Sequence, residues 1–532
     1  MQKVIVFGID GATLDLLEPW MDAGELPQLD LIRKQGASGV LRSTIPPYSA
    51  PAWVSIVTGV NPGKHGIYDF FRTDSVSKNL VSTGYRKAPA VWNYLSFCEK
   101  KCMVVNVPGT YPPEKIHGVM ISGLLTPSEE SEYTFPPSIK QDLVDGNLGR
   151  FDLEQVAVDD LPKSLYARYA PEKLVDRINR ATVSHGTVTL NLLRREEWDF
   201  AMVVFRGIDD AQHLLWDKKS CILACYKTVD EYLKKIMGAF PDAFVVIVSD
   251  HGFHTPKRYL YVNNVLFNTG HVKTFSDPRY SAENLTMTIF NKLSGVLFRV
   301  IPMEKFARSS FGRRMILSSG EKKNIDFSKT KAVYHSVCSR GVRIIREGPH
   351  GVISEEEYER LREEIIHLLS TIIDPETGKR IVKKVYRFEE LYGENAVNAP
   401  LDLILDLEEG YGTQELLQVP KGTIVTLSSE SEDLPVLASP GFYDWVGDHA
   451  PNGIVFLYGN GVKSHSHVRA SVVDIVPTVL AVMGVSLPAR LDGSVIQDAF
   501  VTPLHTTLGA WDIPSKSLLS DAEKKKIRDL RM

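Results

Sequence analysis

The sequence predicts an α/β protein, a three-layer α/β/α sandwich around a mostly parallel central sheet, and three observations carry that reading. Near-continuous Val/Ile/Leu runs recur along the chain: VIVFGI, MVVNVP, AMVVFRG, FVVIVS, LDLILDL and GIVFLYG. Helical stretches such as PAVWNYLSFCEK and KTVDEYLKKIMGAF stand between them. Apolar runs that alternate with helices signal a parallel sheet covered on both faces. The third observation is the residue type at which the runs stop: Asp10 ends VIVFGID, Asp209 and His213 lie in VVFRGIDDAQH, and Asp250 with His251 ends VVIVSDH. Strand ends of an open parallel sheet converge on one crevice, so these side chains imply one shared site, suited to a pair of divalent metal ions.

At 532 residues the chain is long enough for two or three domains, or for one large α/β core with insertions. An apolar fraction of 43% with 24% charged residues is ordinary for a globular protein and argues against disorder. The net charge of -4, without a long single-sign block, gives no footprint for a nucleic-acid polymer, and a small substrate fits better. The first apolar run is too short for a signal peptide and passes directly into Asp10. No uncharged apolar stretch reaches transmembrane length, and the expectation is a soluble, cytoplasmic protein. Five cysteines, an odd count, suit reduced thiols. Cys98 with Cys102 and Cys221 with Cys225 are each four apart in predicted helices, where they read as small buried apolar residues.

The chain divides into a first part of the catalytic core (residues 1–259), a helical insertion or lid (260–330), a second part of the core (331–505) and a tail (506–532). The insertion carries Lys292, Arg299, Lys305, Arg308, Arg313 and Arg314 among apolar residues. That pattern fits a solvated basic helix face, a cationic lid over an anionic substrate, a partner site or, through 290–314, a membrane-surface helix. Residues 355–374, EEEYERLREEIIHLLSTIID, have the apolar spacing and acidic first turn of a surface helix.

Asp209 and His213 stand four apart, so a helical turn projects both from one face toward one ion. Adjacent Asp250 and His251 reach one ion only where the chain leaves regular structure, and Gly252 is expected to supply that turn. His449, in DWVGDHAPNGIVFLYG, is expected in a loop just before a strand. In STIPPYSAPAWVSIVTGVNPGKHGI, Ser49 precedes Pro51 and an apolar run that should be helical, which makes it an N-cap. The positive end of the helix dipole at that point also favours an alkoxide and an incoming phosphoryl group.

The order and spacing of Asp10, the Ser49 segment with its Thr-Gly and His-Gly-Ile tail, Asp209 with His213, the Ser-Asp-His-Gly tetrapeptide and a late Gly-Asp-His resemble the alkaline phosphatase superfamily. The resemblance is nearest to the type I phosphodiesterase/nucleotide pyrophosphatase family. Its Thr or Ser nucleophile lies ten residues before the Gly of a Thr-Gly pair, as Ser49 lies before Gly59. The sulfatase pattern Cys or Ser, x, Pro, x, Arg keeps the same register, but Trp53 stands in the place of its Arg, which argues against a sulfatase. The likeness covers the first 255 residues and residues 330–500, where APLDLIL, DIVPTVLAVMGV and LDGSV recur in the expected order.

Position by position, the resemblance implies one ion held by Asp10, Ser49, Asp250 and His251, and another held by Asp209, His213 and His449. The ligands are all oxygen and nitrogen, which makes zinc the first expectation and manganese or iron the others. It also implies an alkaline phosphatase-like fold and a hydrolase that cleaves phosphodiester or pyrophosphate bonds of a small phosphorylated substrate through a phospho-serine at Ser49. Relatives acting on nucleotides often carry Asn just after the His-Gly-x-x-Asp stretch, but here Phe70 takes that place. The oxyanion donor is therefore sought among the Ala50 amide, Asn106, Lys64 and Arg206. Phe70, Trp53 and Tyr48 near Ser49 favour an apolar shelf for a second ester group over the cationic groups a monoester needs. A phosphomonoesterase, phosphonate hydrolase or phosphotransferase on the same scaffold is the alternative reading. A catalytically silent metal-binding protein that presents 290–314 to a membrane or partner is the third.

Overall fold

A computed structural model describes residues 2–72, 79–153, 170–256, 258–274, 325–346, 353–399, 401–415, 417, 425–427, 446–509 and 511. In chain order its strands are β1 (Val4–Ile9), β2 (Ala37–Arg42), β3 (Cys102–Val107), β4 (Gly118–Ser122), β5 (Thr134–Phe135), β6 (Phe200–Phe205), β7 (Phe244–Val248), β8 (Gly252–His254) and β9 (Arg258–Tyr261). They continue with β10 (Ala332–Tyr334), β11 (Gly341–Ile344), β12 (Val382–Arg387), β13 (Leu403–Leu407), β14 (Tyr411–Gln414), β15 (Val425–Leu427), β16 (Asp448–Ala450), β17 (Asn452–Tyr458) and β18 (Ser466–Ser471).

The central sheet runs β18-β2-β17-β7-β1-β6-β3-β4-β5. β1 pairs in parallel with β6 and β7, β3 with β6 and β4, and β18 with β2. β17 is antiparallel to both its neighbours, and β5 is antiparallel to β4. Side chains alternate along each strand, so one run feeds two cores. Ile5, Phe7 and Ile9 pack with Leu17, Val188 and Leu233, beneath the helices Leu14–Asp22, Pro171–Arg195 and Lys219–Ala239. Val4 and Val6 pack on the other face with Trp53, Trp92 and Val476, from the helices Ser49–Thr58, Val91–Phe97 and Ile475–Val482. The result is the three-layer sandwich, and each wholly buried side chain such as Phe7 contributes about 1.5–3 kcal/mol.

A smaller antiparallel sheet, β10-β11-β13-β12, has a core of its own in which Tyr334 and Leu403 meet Ile365 and Leu369 of the helix Glu355–Ser370. LDLILDL supplies β13 of this sheet and not a central strand. The stretch read as the second part of the core, 331–505, contains this sheet and meets the central sheet at β17. A short apolar run reads alike in both settings, and periodicity does not say which sheet it joins.

The two cysteine pairs differ. The helix before Cys98 ends at Phe97, Glu99 takes a left-handed φ of 57°, and Cys102 opens β3, so Cys98 and Cys102 share no helix face. Cys221 and Cys225 do share the helix Lys219–Ala239, and all five thiols are free. Among the described residues no helix is long and apolar enough to cross a membrane. The basic cluster from Lys292 to Arg314 and the tail beyond 511 lie outside the described residues.

Candidate active site

β7, β1 and β6 are neighbours in the central sheet, and their carboxyl ends bring the predicted side chains together. Asp10 directly follows β1, and Asp250 and His251 lie just past β7. The helix Gly207–Leu215 after β6 carries Asp209 and His213 one turn apart, as their spacing predicts. His449 arrives by a different route. It sits in β16, a strand and not the expected loop, and pairs opposite Phe253 of β8. That pairing stacks its ring 3.7 Å from the ring of His251 at 24°. Gly252 supplies no turn either. It opens β8, and a Cβ there would stand 2.0 Å from the Asn452 carbonyl oxygen, so close approach is what requires glycine.

Ser49 is the first residue of its helix and Tyr48 occupies the cap position, with no side-chain cap bond. The Ser49 hydroxyl does something else: Oγ lies 3.1 Å from His251 Nε2. His251 Nδ1 donates to the Gly252 carbonyl at 3.0 Å, which fixes the tautomer and leaves Nε2 as an acceptor.

The carboxylates are held by their outer oxygens. Trp53 Nε1 donates to Asp10 Oδ2 at 3.0 Å, and the Gly11 amide donates to Asp250 Oδ1 at 3.2 Å. Asp10 Oδ1 and Asp250 Oδ2 are buried without a hydrogen bond, and lie 3.7 and 3.1 Å from His251 Nε2. Across the site, Asp209 Oδ1 lies 3.3 Å from His213 Nε2 and 3.4 Å from His449 Nε2. His213 Nδ1 donates to the Gly447 carbonyl at 2.9 Å.

Among the described residues two groups of ligand atoms lie within mutual reach of a cation, Asp10–Asp250–His251 and Asp209–His251–His449. His251 faces both, where the resemblance assigns it to one. His213 stands against the second group through its contacts with Asp209 and His449. Buried carboxylate oxygens without donors, imidazoles oriented by backbone carbonyls and the absence of any thiolate make a donor set that fits divalent cations.

The charges agree with that fit. Burial, then the charges of Asp250 and Asp209, push the Asp10 carboxyl well above the usual carboxylate range. Burial also raises Asp250 against the pull of His251. Burial alone would raise Asp209, but His213 and His449 outweigh it and hold this acid well below its ordinary value. Burial and the nearby His251 push His449 down to about 3, which keeps its ring neutral with a lone pair to offer.

The side chains proposed near the nucleophile separate into used and unused. Lys64 pairs with Asp492. Asn106 Nδ2 donates to the Val204 carbonyl at 2.9 Å, and Arg206 pairs with Asp210 at 2.6 Å. All three thus have structural partners. The first-turn amide of Ala50 has no intrahelical carbonyl to bond, whereas the three side chains are already engaged. Trp53 is core and holds Asp10, so it forms no shelf. Phe70 does line an apolar pocket with Ala50, Val54, Ile67 and Leu125, beside the nucleophile. The Tyr48 ring packs against that of His449, centroids 4.4 Å apart and planes tilted by 58°.

Two residues of the His-Gly-x-x-Asp stretch, to which the sequence pattern assigns no role, also pack around the site. His65 Nδ1 accepts from the Ile67 amide at 3.1 Å and Nε2 donates to Ser55 Oγ at 3.0 Å, clamping the helix that begins at Ser49. Burial pushes the Asp69 carboxyl up to about 6, against hydrogen bonds from Ser336 Oγ and the Phe71 amide. An acid with a raised folded pKa contributes stability that is full below its unfolded pKa, near 3.8, and lost as pH rises through about 6. At roughly 1.4 kcal/mol per unit this amounts to about 3 kcal/mol. Urea titrations below about pH 4 and above about pH 7 should show that loss in the wild type and its absence in Asp69→Asn. Identical pH dependence in the two proteins would exclude Asp69 as its source.

The model of the family described as type I phosphodiesterase / nucleotide pyrophosphatase matches residues 4–411, a span that ends before His449. No curated protein matches the sequence. Among solved structures, an inactive form of murine ectonucleotide pyrophosphatase/phosphodiesterase 5 in complex with AMP is similar at a TM-score of 0.50 and 12% identity, covering 94% of this chain and 100% of that one. The human ectonucleotide pyrophosphatase/phosphodiesterase 5 is similar at 0.50 and 13%, with the same coverage. At such identity the likeness is one of fold.

Proposed function

The chain belongs to the type I phosphodiesterase/nucleotide pyrophosphatase family, and from that premise we propose that it hydrolyses phosphodiester or pyrophosphate bonds of a small substrate through a covalent phospho-serine on Ser49. The observation that carries this is the Ser49 hydroxyl, 3.1 Å from an imidazole nitrogen and beside two buried carboxylates. Asp10, Ser49, Asp250 and His251 would hold one divalent ion, Asp209, His213 and His449 the other, and zinc is the metal proposed. Bound there, such ions lower the pKa of a coordinated hydroxyl and neutralise phosphoryl oxygens.

The chain's own groups account for the rest. The helix that begins at Ser49 places its positive end and the Ala50 amide where negative charge develops on the phosphoryl group. The Ser49 hydroxyl gives up its proton, its oxygen bonds to phosphorus, and the bond to the leaving oxygen breaks, that oxygen taking up a proton from solvent. Water then attacks phosphorus, the Ser49–phosphorus bond breaks, and a proton returns to the serine. Water is displaced from one side by the apolar wall of Phe70, Ala50 and Leu125, which suits the second ester group of a diester.

The test is a panel of nitrophenyl diester, monoester, phosphonate and sulfate substrates, with zinc, manganese or iron added to the apoprotein. Diester turnover should dominate. Dominant monoester turnover would favour a phosphomonoesterase, and dominant sulfate turnover, or none with any metal, would overturn the reading. We further propose a cytoplasmic location, supported by five free thiols.

A further inference from the structure

The turn between β10 and β11 is bonded to both catalytic segments. At one end Ser336 Oγ donates to Asp69, from the nucleophile segment. At the other end is Arg340, 4% exposed, with a left-handed φ of 43°. Its backbone is fixed, since its amide donates to the Ser336 carbonyl at 3.1 Å and its carbonyl accepts from Leu405 of β13 at 3.0 Å. The guanidinium runs to Asp448, whose Oδ2 lies 4.0 Å from Nη2. Asp448 Oδ1 accepts from the His449 amide at 2.7 Å and lies 3.4 Å from the Tyr48 hydroxyl. Tyr48, the residue before Ser49, lies under the same guanidinium at 5.4 Å while its ring packs at a tilt against His449.

We propose that Arg340 is a positioning residue, which fixes His449 through Asp448 and thereby sets the affinity of the second ligand group for its cation. A buried carboxylate is stable only beside a counter-charge, and Arg340 supplies one that no pH change removes. Without it, Asp448 keeps its contacts with the His449 amide and the Tyr48 hydroxyl but loses its permanent counter-charge, and the strand that presents His449 loosens. Groups that orient a ligand from behind set metal affinity in this way, with effects of about 10–100-fold.

The inference rests on the reading that the site binds two cations, and the experiment separates the two. Zinc alone is titrated into metal-free protein against a chromophoric chelator, and cobalt is added in parallel to read ligand geometry from its visible spectrum. Wild type should bind two equivalents; fewer would mean that the site reading fails. Arg340→Gln should bind one equivalent like wild type and the other about 10–100-fold more weakly, with a changed cobalt spectrum. Arg340→Lys should recover most of the loss, because the 4.0 Å pairing is a charge contact without a bidentate fork. Asp448→Asn should reproduce the weakened equivalent. If wild type binds two equivalents and Arg340→Gln binds both as tightly, or if Arg340→Gln and Arg340→Lys weaken both alike, Arg340 does not position His449.

Discussion

Ser49→Ala should lower turnover by about 10³-fold or more while the protein keeps its fold and its metal content. The effect is large because the proposed route has this hydroxyl form the bond to phosphorus, and no neighbouring side chain offers a second nucleophile on the same helix end. The structural cost is small, because Ser49 caps nothing and its hydroxyl contact is the one to His251 Nε2. Steady-state kinetics on a nitrophenyl diester and metal analysis on the same preparation check both halves. Ser49→Thr, which keeps a hydroxyl at that place, should retain a measurable fraction of activity. Wild-type turnover in the alanine variant would eliminate the covalent route.

Removing divalent ions should abolish turnover and also soften the fold, because ions that bind only the folded chain stabilise it. Asp10, Asp209 and Asp250 are buried close enough for each charge to raise or resist the next, and the inner oxygens of Asp10 and Asp250 accept no hydrogen bond. A cation that binds only the folded protein, at a free concentration about 1,000-fold above its Kd, adds roughly 4 kcal/mol of apparent stability. Chelator-treated protein should therefore unfold at lower urea, and zinc should restore both the midpoint and the activity. A midpoint unmoved by chelation, in protein shown by analysis to be metal-free, would refute the ligand assignment.

Much of the site was legible because its ligands sit where apolar runs stop. Asp10, Asp250 and His251 follow β1 and β7 directly, and the spacing of Asp209 and His213 is that of a helix turn. Pattern could not reveal which residues meet across the chain. Trp53 reaches Asp10 over 43 positions and Ser49 reaches His251 over 202. The strand character of His449 depends on pairing with β8, and the sharing of His251 between two groups on the stack that pairing creates. Gly252 looked like a turn former because glycine at a strand end usually is one, whereas here the neighbouring strand passes too near for any side chain. LDLILDL misled for the related reason that an apolar run does not name its sheet.

The place of β17 bears on how the enzyme is made. This strand, late in the chain, lies between β2 and β7 and runs against both, with β16 and His449 immediately before it. A nascent polypeptide stalled before residue 448 therefore carries Ser49 and every other candidate ligand, yet its central sheet is split and its second cation group lacks His449. Two unpaired strand edges face the same gap, the kind of exposed template on which partly made chains associate. Translation of one short segment thus closes the sheet and completes the catalytic centre in the same event.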